Sequence, residues 1–301
     1  MARTERATSV DASTADTLHE LWARALETDG VGAVSEAFRL AVGPQPRAGV
    51  VHLLRYADDD ALVGYAQVAS TGTPDAVAEL VVDPSHRRAG HGRALLDAAL
   101  AEGARSVWSH GLLPAAEALA ASAGLVLTRS LYRMTRPLTD DDRADPVLPQ
   151  GFSVRPFEPG RDDEAWVRLN AAAFATHPEQ GRLTVADLRE RMAQPWFDAA
   201  GFLLVVDDAS GQVVAFHWTK VEPGSSSGEV YVVGVDPGHQ GRGLGGPLTA
   251  LGLAHLARLG LGEVELYVDG ENTAARRTYA RLGFTDAAVD GQYSVVARAP
   301  A

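Results

Sequence analysis

The chain has no cysteine among its 301 residues. That removes disulfides, thiolate metal sites and any cysteine-linked covalent intermediate. No stretch approaches the ~20 apolar residues that a membrane-crossing helix requires. The charged start (Arg3, Glu5, Arg6) is not followed by the apolar core of a secretory signal, so the cytoplasm is the expected location. An excess of positive charge is also missing. The formal net charge is −12, which argues against a nucleic-acid backbone or an anionic membrane as the main partner and suits a cationic small molecule better. Lysine is scarce. No Gly-Lys-Ser/Thr follows any glycine loop, and there is no Gly-x-Ser-x-Gly elbow. Neither His86 nor His239 has a histidine four residues on, so no metal site is expected.

What the chain does have is a repeat. Val82-Asp83-Pro84-Ser85-His86-Arg87-Arg88-Ala89-Gly90-His91-Gly92 recurs as Val235-Asp236-Pro237-Gly238-His239-Gln240-Gly241-Arg242-Gly243-Leu244-Gly245, with Val, Asp, Pro, His and both glycines in step at an offset of 153. A duplication on that scale divides the chain into halves that can each bury a core. The expected domains are residues 1–137 and 151–301, joined by a polar, proline-bearing linker at 138–150 that includes Asp140-Asp141-Asp142 and Asp145-Pro146.

The two halves read alike. In the second, strands are expected over Phe152–Pro156, Phe202–Val206, Val213–Trp218, Glu229–Val235, Val264–Val268 and Tyr293–Ala297. Helices are expected over Glu164–Phe174, Thr184–Met192, the leucine-spaced run after Leu244, and Asn272–Leu282. In the first, helices fall around 14–28 and 31–42 and strands around 49–56, 61–69 and 77–82. The loop, a helix, a strand near Val107, a helix from Pro114 and a strand from Leu125 follow. Each half is therefore a mixed α/β (α+β) unit, a mostly antiparallel sheet flanked by helices, in which one strand–loop–helix–strand stretch must be parallel.

A backbone turning through Gly241, Gly243 and Gly245 can aim several N–H groups at one anion, and the positive end of the next helix adds to them. Arg242, and Arg87, Arg88 and Arg93 in the first copy, can contribute charge-assisted bonds. Gly241-x-Gly243-x-x-Gly246 also fits a dinucleotide fingerprint, with Glu263 or Glu265 about 20 residues on. That reading fails in its own duplicate, where position 88 is Arg. It would also need a run of βαβ units where the sequence offers an antiparallel meander.

A strand ending Val-Asp-Pro, then Gln/Arg-x-x-Gly-x-Gly/Ala at a helix start, resembles the pyrophosphate loop of the GNAT superfamily of N-acetyltransferases. Asn272-Thr273-Ala274-Ala275-Arg276-Arg277-Thr278-Tyr279 with Leu282-Gly283-Phe284 is similar to that superfamily's later Asn-x-x-Ala-x-x-x-Tyr-x-x-x-Gly-Phe segment. The resemblance implies two tandem GNAT-type domains with acetyl-CoA as co-substrate. A closer likeness, carried by Phe216-His217-Trp218-Thr219-Lys220, Gly228–Val235 and Leu266-Tyr267-Val268-Asp269, is to the mycothiol synthase family. Enzymes of that family acetylate the cysteinyl amine of cysteinyl-glucosaminyl-inositol. A monomer is expected.

The resemblance implies roles residue by residue. Val233, Gly234 and Val235 pair with the pantetheine arm, and the Val233 N–H meets the developing oxyanion. Gln240, Gly241, Arg242, Gly243, Leu244, Gly245 and Gly246 hold the pyrophosphate, and Asn272, Thr273, Ala274, Ala275, Arg276 and Arg277 complete the acetyl-CoA site. In the first half the corresponding residues are Leu80, Val81, Val82, Arg87, Arg88, Ala89, Gly90, His91, Gly92 and Arg93. Glu229 draws off the amine proton and Tyr279 donates to the departing sulfur. Glu36, Glu179, Lys220, Glu229 and Tyr267 contact the acceptor, with Glu36 reaching in from the first half and Glu179 on a covering loop, Thr176 to Gln180.

The same offset of 153 sets Ala76 opposite Glu229. An offset of 159 on the later glycine sets Ala120 opposite Tyr279 and Leu113 opposite Asn272. Alanine can neither take nor give a proton, so the first half is expected to bind acetyl-CoA or brace the second without turnover. Two other readings stand beside this one. They are a tandem acetyltransferase for another amine (an aminoglycoside, a polyamine or a protein N-terminus) and an acyl-CoA-binding protein without chemistry.

Overall fold

The computed structural model describes residues 1–175 and 180–295. The chain forms two compact units, one of residues 1–131 with the segment from Ala288 onward, the other Tyr132–Ala287. Residues 138–150, expected as a linker, cluster with the second unit. Leu138 donates its N–H to Gly262 O at 3.0 Å, and Arg258 reaches Arg143 O at 2.8 Å and Asp145 at 2.5 Å.

In the first unit β1 (Arg3–Ala7), β2 (Val51–Tyr56), β3 (Leu62–Ala69) and β4 (Val77–Val82) form an antiparallel meander. The short charged strand β1 has no alternation to announce it; it exists because it pairs with residues 52–56 of β2. Helix α1 (Ala12–Asp29) starts at Asp11, whose side chain accepts the Thr14 N–H. Helix α2 is shorter than periodicity suggests, Glu36–Leu40. Helix α3 (His91–Ala101) carries the chain from β4 to a parallel partner, β5 (Ser106–Ser109). Helix α4 (Pro114–Ser122) leads to β6 (Leu125–Pro137). The strand beside β5 on its other edge comes from the far end of the chain: Gly291–Ser294 of β12 (Thr285–Val295) pair antiparallel with Ser109–Ser106.

The second unit repeats the plan. Strands β7 (Phe152–Pro156), β8 (Phe202–Asp207), β9 (Val213–Lys220) and β10 (Ser227–Val235) are antiparallel, and β11 (Glu263–Asp269) is parallel to β10. Helices α5 (Asp163–Ala173) and α6 (Val185–Met192) precede β8; α7 (Gly245–Arg258) and α8 (Thr273–Arg281) flank β11. Thr184 and Asp187 close the expected capping box on α6.

Each sheet is covered on both faces. In the second unit Trp166, Trp196, Phe202, Phe216 and Trp218 fill one face, while Leu248, Leu251, Leu253 and Leu256 of α7 fill the other. Burial of such side chains stabilises by about 1.5–3 kcal/mol each. Together they pack β9 and β10 between two apolar layers.

Candidate active site

The two loops share a backbone trace as well as a sequence. Asp83 and Asp236 end their strands at φ −48° and −49°, and each caps the short 3-10 turn that follows. Left-handed residues then come at Arg88 (φ 64°) and Gly90 (φ 85°), and at Gly241 (φ 77°) and Gly243 (φ 79°). Arg87 and Gln240 both fold back on the carbonyl five residues earlier, Val82 O at 3.2 Å and Val235 O at 3.4 Å. The starts of α3 and α7 have no side-chain cap, which leaves their first N–H groups for an external acceptor. Space is open at Gly245 and Gly246, where an added Cβ would meet nothing within 4 Å.

The loop cations are placed differently. Arg87 makes a two-pronged pair with Asp29 at 2.7 Å, Arg93 binds Asp97 at 2.8 Å, and Arg24 binds Asp83 at 2.8 Å. Burial opposes the Asp83 carboxylate, yet hydrogen bonds from Ser85 and Arg24 hold it down to about 2. In the second loop Arg242 lies 3.7 Å from Asp207 and stacks on Phe152 at 4.8 Å. The N–H groups of Ser210 and Ala209 keep Asp207 below the usual carboxylate range.

Upstream of each loop the parallel strands part. β10 pairs with β11 only as far as Val230 with Leu266, and β4 with β5 only as far as Glu79 with Trp108. Beyond those points Val233, Gly234 and Val235, like Leu80, Val81 and Val82, keep their antiparallel partner alone. The second unit differs by a bulge. Val230 faces Thr219 and Val232 faces Trp218, so Tyr231 is the extra residue. It packs with Val232 on the face of Trp218, and the alternation restarts at Val233.

The bulge corrects the sequence alignment of the halves. Counting back from the loop, Val232 corresponds to Glu79, but across the inserted Tyr231 the match moves by one. Glu229, paired with Lys220, then corresponds to Val77, paired with Ala69, and not to Ala76. The replaced residue is apolar either way. The later match is confirmed: α4 and α8 are nine-residue helices in step, with Leu113 and Asn272 as their N-caps and left-handed Gly124 (φ 74°) and Gly283 (φ 87°) after them. Ala120 and Tyr279 therefore hold equivalent positions.

Glu229 is half-buried on β10, across from Lys220 on one side and Glu265 on the other. Lys220 is the only lysine in the chain, and it is buried. Its ammonium lies 5.1 Å from the Trp196 ring centre, 5.5 Å from that of Tyr231 and 2.9 Å from a Glu222 oxygen. Tyr231 in turn accepts from Arg191 Nε at 3.1 Å. Sequence reasoning had not singled out Trp196 or Tyr231; a bulge leaves no mark in a strand's alternation. Tyr267, exposed, stands one residue past the last position of β11 that pairs with β10.

Tyr279 packs on the opposite face, in the cluster of Val230, Leu266 and Val268, with its ring 5.8 Å from Phe284. Burial pushes its phenol up to about 12, so it is a neutral donor at ordinary pH. Asn272 Oδ1 accepts the Ala275 N–H at 3.1 Å and caps α8. Arg276 stacks on Tyr132 at 3.8 Å and binds Asp286 at 2.8 Å, while Arg277 Nε bonds Thr273 O at 3.2 Å; Thr273 and Ala274 are exposed. Glu36 opens α2 in the first unit. Glu179 and the loop Thr176 to Pro178 lie outside the described residues.

The first unit fills the same strand positions with another chemistry. Where the second has Phe202, Phe216, Trp218 and Val232, the first has His52, Tyr65, Gln67 and Glu79, all buried. Tyr65 Oη lies 2.7 Å from both His52 Nδ1 and Gln67 Oε1. Glu79 accepts the Ser35 N–H at 2.7 Å and lies 3.3 Å from His110, which also meets Asp290 at 3.1 Å. Burial opposes a charged His110, but the two carboxylates prevail and raise it to about 10.

Among the described residues no group of three or more His, Asp or Glu side chains is placed to hold a metal ion. Among them, too, no helix is long and apolar enough to cross a membrane.

The Acetyltransferase (GNAT) family profile matches residues 165–284, and an Acetyltransferase (GNAT) domain profile matches residues 50–132. A mycothiol acetyltransferase of Streptomyces scabiei is 51% identical, over 97% of this chain and 94% of that protein. The chain belongs to the mycothiol acetyltransferase family. A second member, from Streptomyces coelicolor, is 51% identical over 92% of this chain and 90% of its own. A tandem GNAT protein from the clavulanic acid biosynthesis pathway covers all of both chains at a TM-score of 0.71 and 19% identity, a likeness of fold alone. The chain is thus an acetyltransferase built of two tandem GNAT units, as the duplicated loops implied.

Proposed function

We propose that the protein transfers the acetyl group of acetyl-CoA to the cysteinyl amine of cysteinyl-glucosaminyl-inositol, in a ternary complex in the second unit. The observation that carries this reading is the strand fork after Val230 and Leu266, with a carboxylate on one face and a neutral phenol on the other. It is supported by 51% identity to a protein named mycothiol acetyltransferase.

The pyrophosphate meets the N–H groups of residues 240–246 at the start of α7, and the pantetheine arm adds along Val233 to Val235. The amine nitrogen attacks the thioester carbon as Glu229 takes its proton, directly or through water. The oxyanion is met by the Val233 N–H, the C–S bond breaks, and Tyr279 gives a proton to the thiolate. Asn272 and residues 273–277 flank the nucleotide. Lys220, Tyr267, Glu36 and Glu179 contact the acceptor. The first unit has Val77 and Ala120 in place of the two proton-transfer groups, and through Leu80 to Val82 and residues 87–93 it binds acetyl-CoA without turnover. The protein acts as a cytoplasmic monomer with no metal, nucleic acid or membrane partner. Turnover of acetyl-CoA by the purified protein with this acceptor, against aminoglycoside, polyamine and peptide amines, tests the reading. A preference for another amine would replace the acceptor, and no thiol release with any amine would leave a binding protein.

A further inference from the structure

Glu229 belongs to a row of charges that crosses the sheet of the second unit. Lys220 on β9 faces Glu229 on β10, Glu229 faces Glu265 on β11, and Glu265 Oε2 accepts from Arg133 Nη1 of β6 at 2.8 Å. The order is plus, minus, minus, plus. Strand neighbours share a face, so all four side chains project with Tyr267 to the side of Trp196 and Tyr231. Two carboxylates side by side on adjacent strands weaken a sheet.

The fold does not require the row. At an offset of 159 Glu265 corresponds to Ser106, so the matching positions of the first unit are Ala69, Val77 and Ser106, all uncharged. One copy of the architecture stands with uncharged residues at these positions and the other sets two carboxylates side by side. Local conflict of that kind is expected at functional sites.

Resting on the acetyl-transfer reading above, we propose that Arg133 and Glu265 are specificity-determining residues that bind the polyhydroxylated part of the acceptor beside Glu229. Their side chains keep 37% and 25% of their exposure, so the ion pair is open to a ligand. A guanidinium next to a carboxylate supplies donors and acceptors side by side, the arrangement that vicinal hydroxyls match. The spacing agrees as well. Neighbouring strands lie about 4.8 Å apart, so Arg133 stands about 10 Å from the strand of Glu229. In an aminoacyl sugar the amine reaches the ring carbon through four bonds, roughly 5 Å, and the ring extends the acceptor over Glu265 toward Arg133.

The test compares two acceptors with acetyl-CoA, cysteinyl-glucosaminyl-inositol and L-cysteinamide, for the wild type, Glu265→Gln, Arg133→Gln and the double variant that removes both charges of the ion pair. The expected result is a KM for the full acceptor raised about tenfold, the worth of one charge-assisted hydrogen bond, with kcat within about twofold. Turnover of L-cysteinamide stays unchanged. Equal losses on both acceptors, or none on either, overturn the subsite. If the wild type acetylates neither acceptor, the acetyl-transfer reading fails instead. Calorimetry with glucosaminyl-inositol alone then still decides the subsite, as weaker binding by the double variant supports it and equal binding overturns it.

Discussion

Arg88 holds the same left-handed backbone conformation as Gly241, at φ 64° against 77°. The two residues occupy one position of a duplicated loop, and only glycine adopts that conformation without cost. An L side chain there costs about 1–2 kcal/mol, partly offset because glycine loses more entropy on folding. Arg88→Gly is expected to raise stability by about 0.5–1 kcal/mol, and Gly241→Ala to lower it by about 1 kcal/mol. The urea midpoint at unchanged slope checks both.

Glu229→Gln and Tyr279→Phe should each lower kcat by about 10²–10⁴-fold and leave coenzyme A affinity nearly unchanged. The phenol, pushed up to about 12, stays protonated well above neutrality. The wild-type rate should therefore show no alkaline fall below pH 10 that Tyr279→Phe removes. A pH–rate profile for the two proteins makes the comparison.

Stability should fall on mild acidification. Burial lowers His52 and His217 to about 4, so each is neutral in the folded protein while an unfolded chain titrates near 6.5. Groups with depressed folded values contribute fully above 6.5, and that contribution is lost as pH falls from there through 4. His52→Phe copies Phe202 of the second unit and removes one of the two groups. Its urea midpoint should drop less than that of the wild type between pH 7.5 and 5.

His110 carries the opposite sign. Raised to about 10 by Glu79 and Asp290, it stabilises fully below 6.5 and loses that contribution as pH rises through 10. His110→Ala leaves two buried carboxylates without their cation, a loss of about 3–5 kcal/mol. Denaturation at pH 7 measures it, and the variant should lack the wild type's alkaline decline.

Much of the fold was legible because the signals were local. The loops repeat letter for letter at Asp83 and Asp236, and Thr184 with Asp187 marks a helix start that the structure keeps. Pairings that join distant parts of the chain were not. No pattern ties Gly291–Ser294 to Ser109–Ser106, and β1 exists only through its pairing with β2. The bulge at Tyr231 was equally silent, and it moved the partner of Glu229 from Ala76 to Val77. The charged row stayed hidden because Lys220, Glu229, Glu265 and Arg133 meet only once four strands are in register.

The most direct test follows thiol release from acetyl-CoA by the wild type and Glu229→Gln, with cysteinyl-glucosaminyl-inositol as acceptor and coenzyme A binding measured in parallel. The account predicts stoichiometric thiol release and N-acetylated product from the wild type, with release lost in the variant at equal coenzyme A affinity. Full release by Glu229→Gln, or tight coenzyme A binding by a wild type that acetylates no amine, would contradict it.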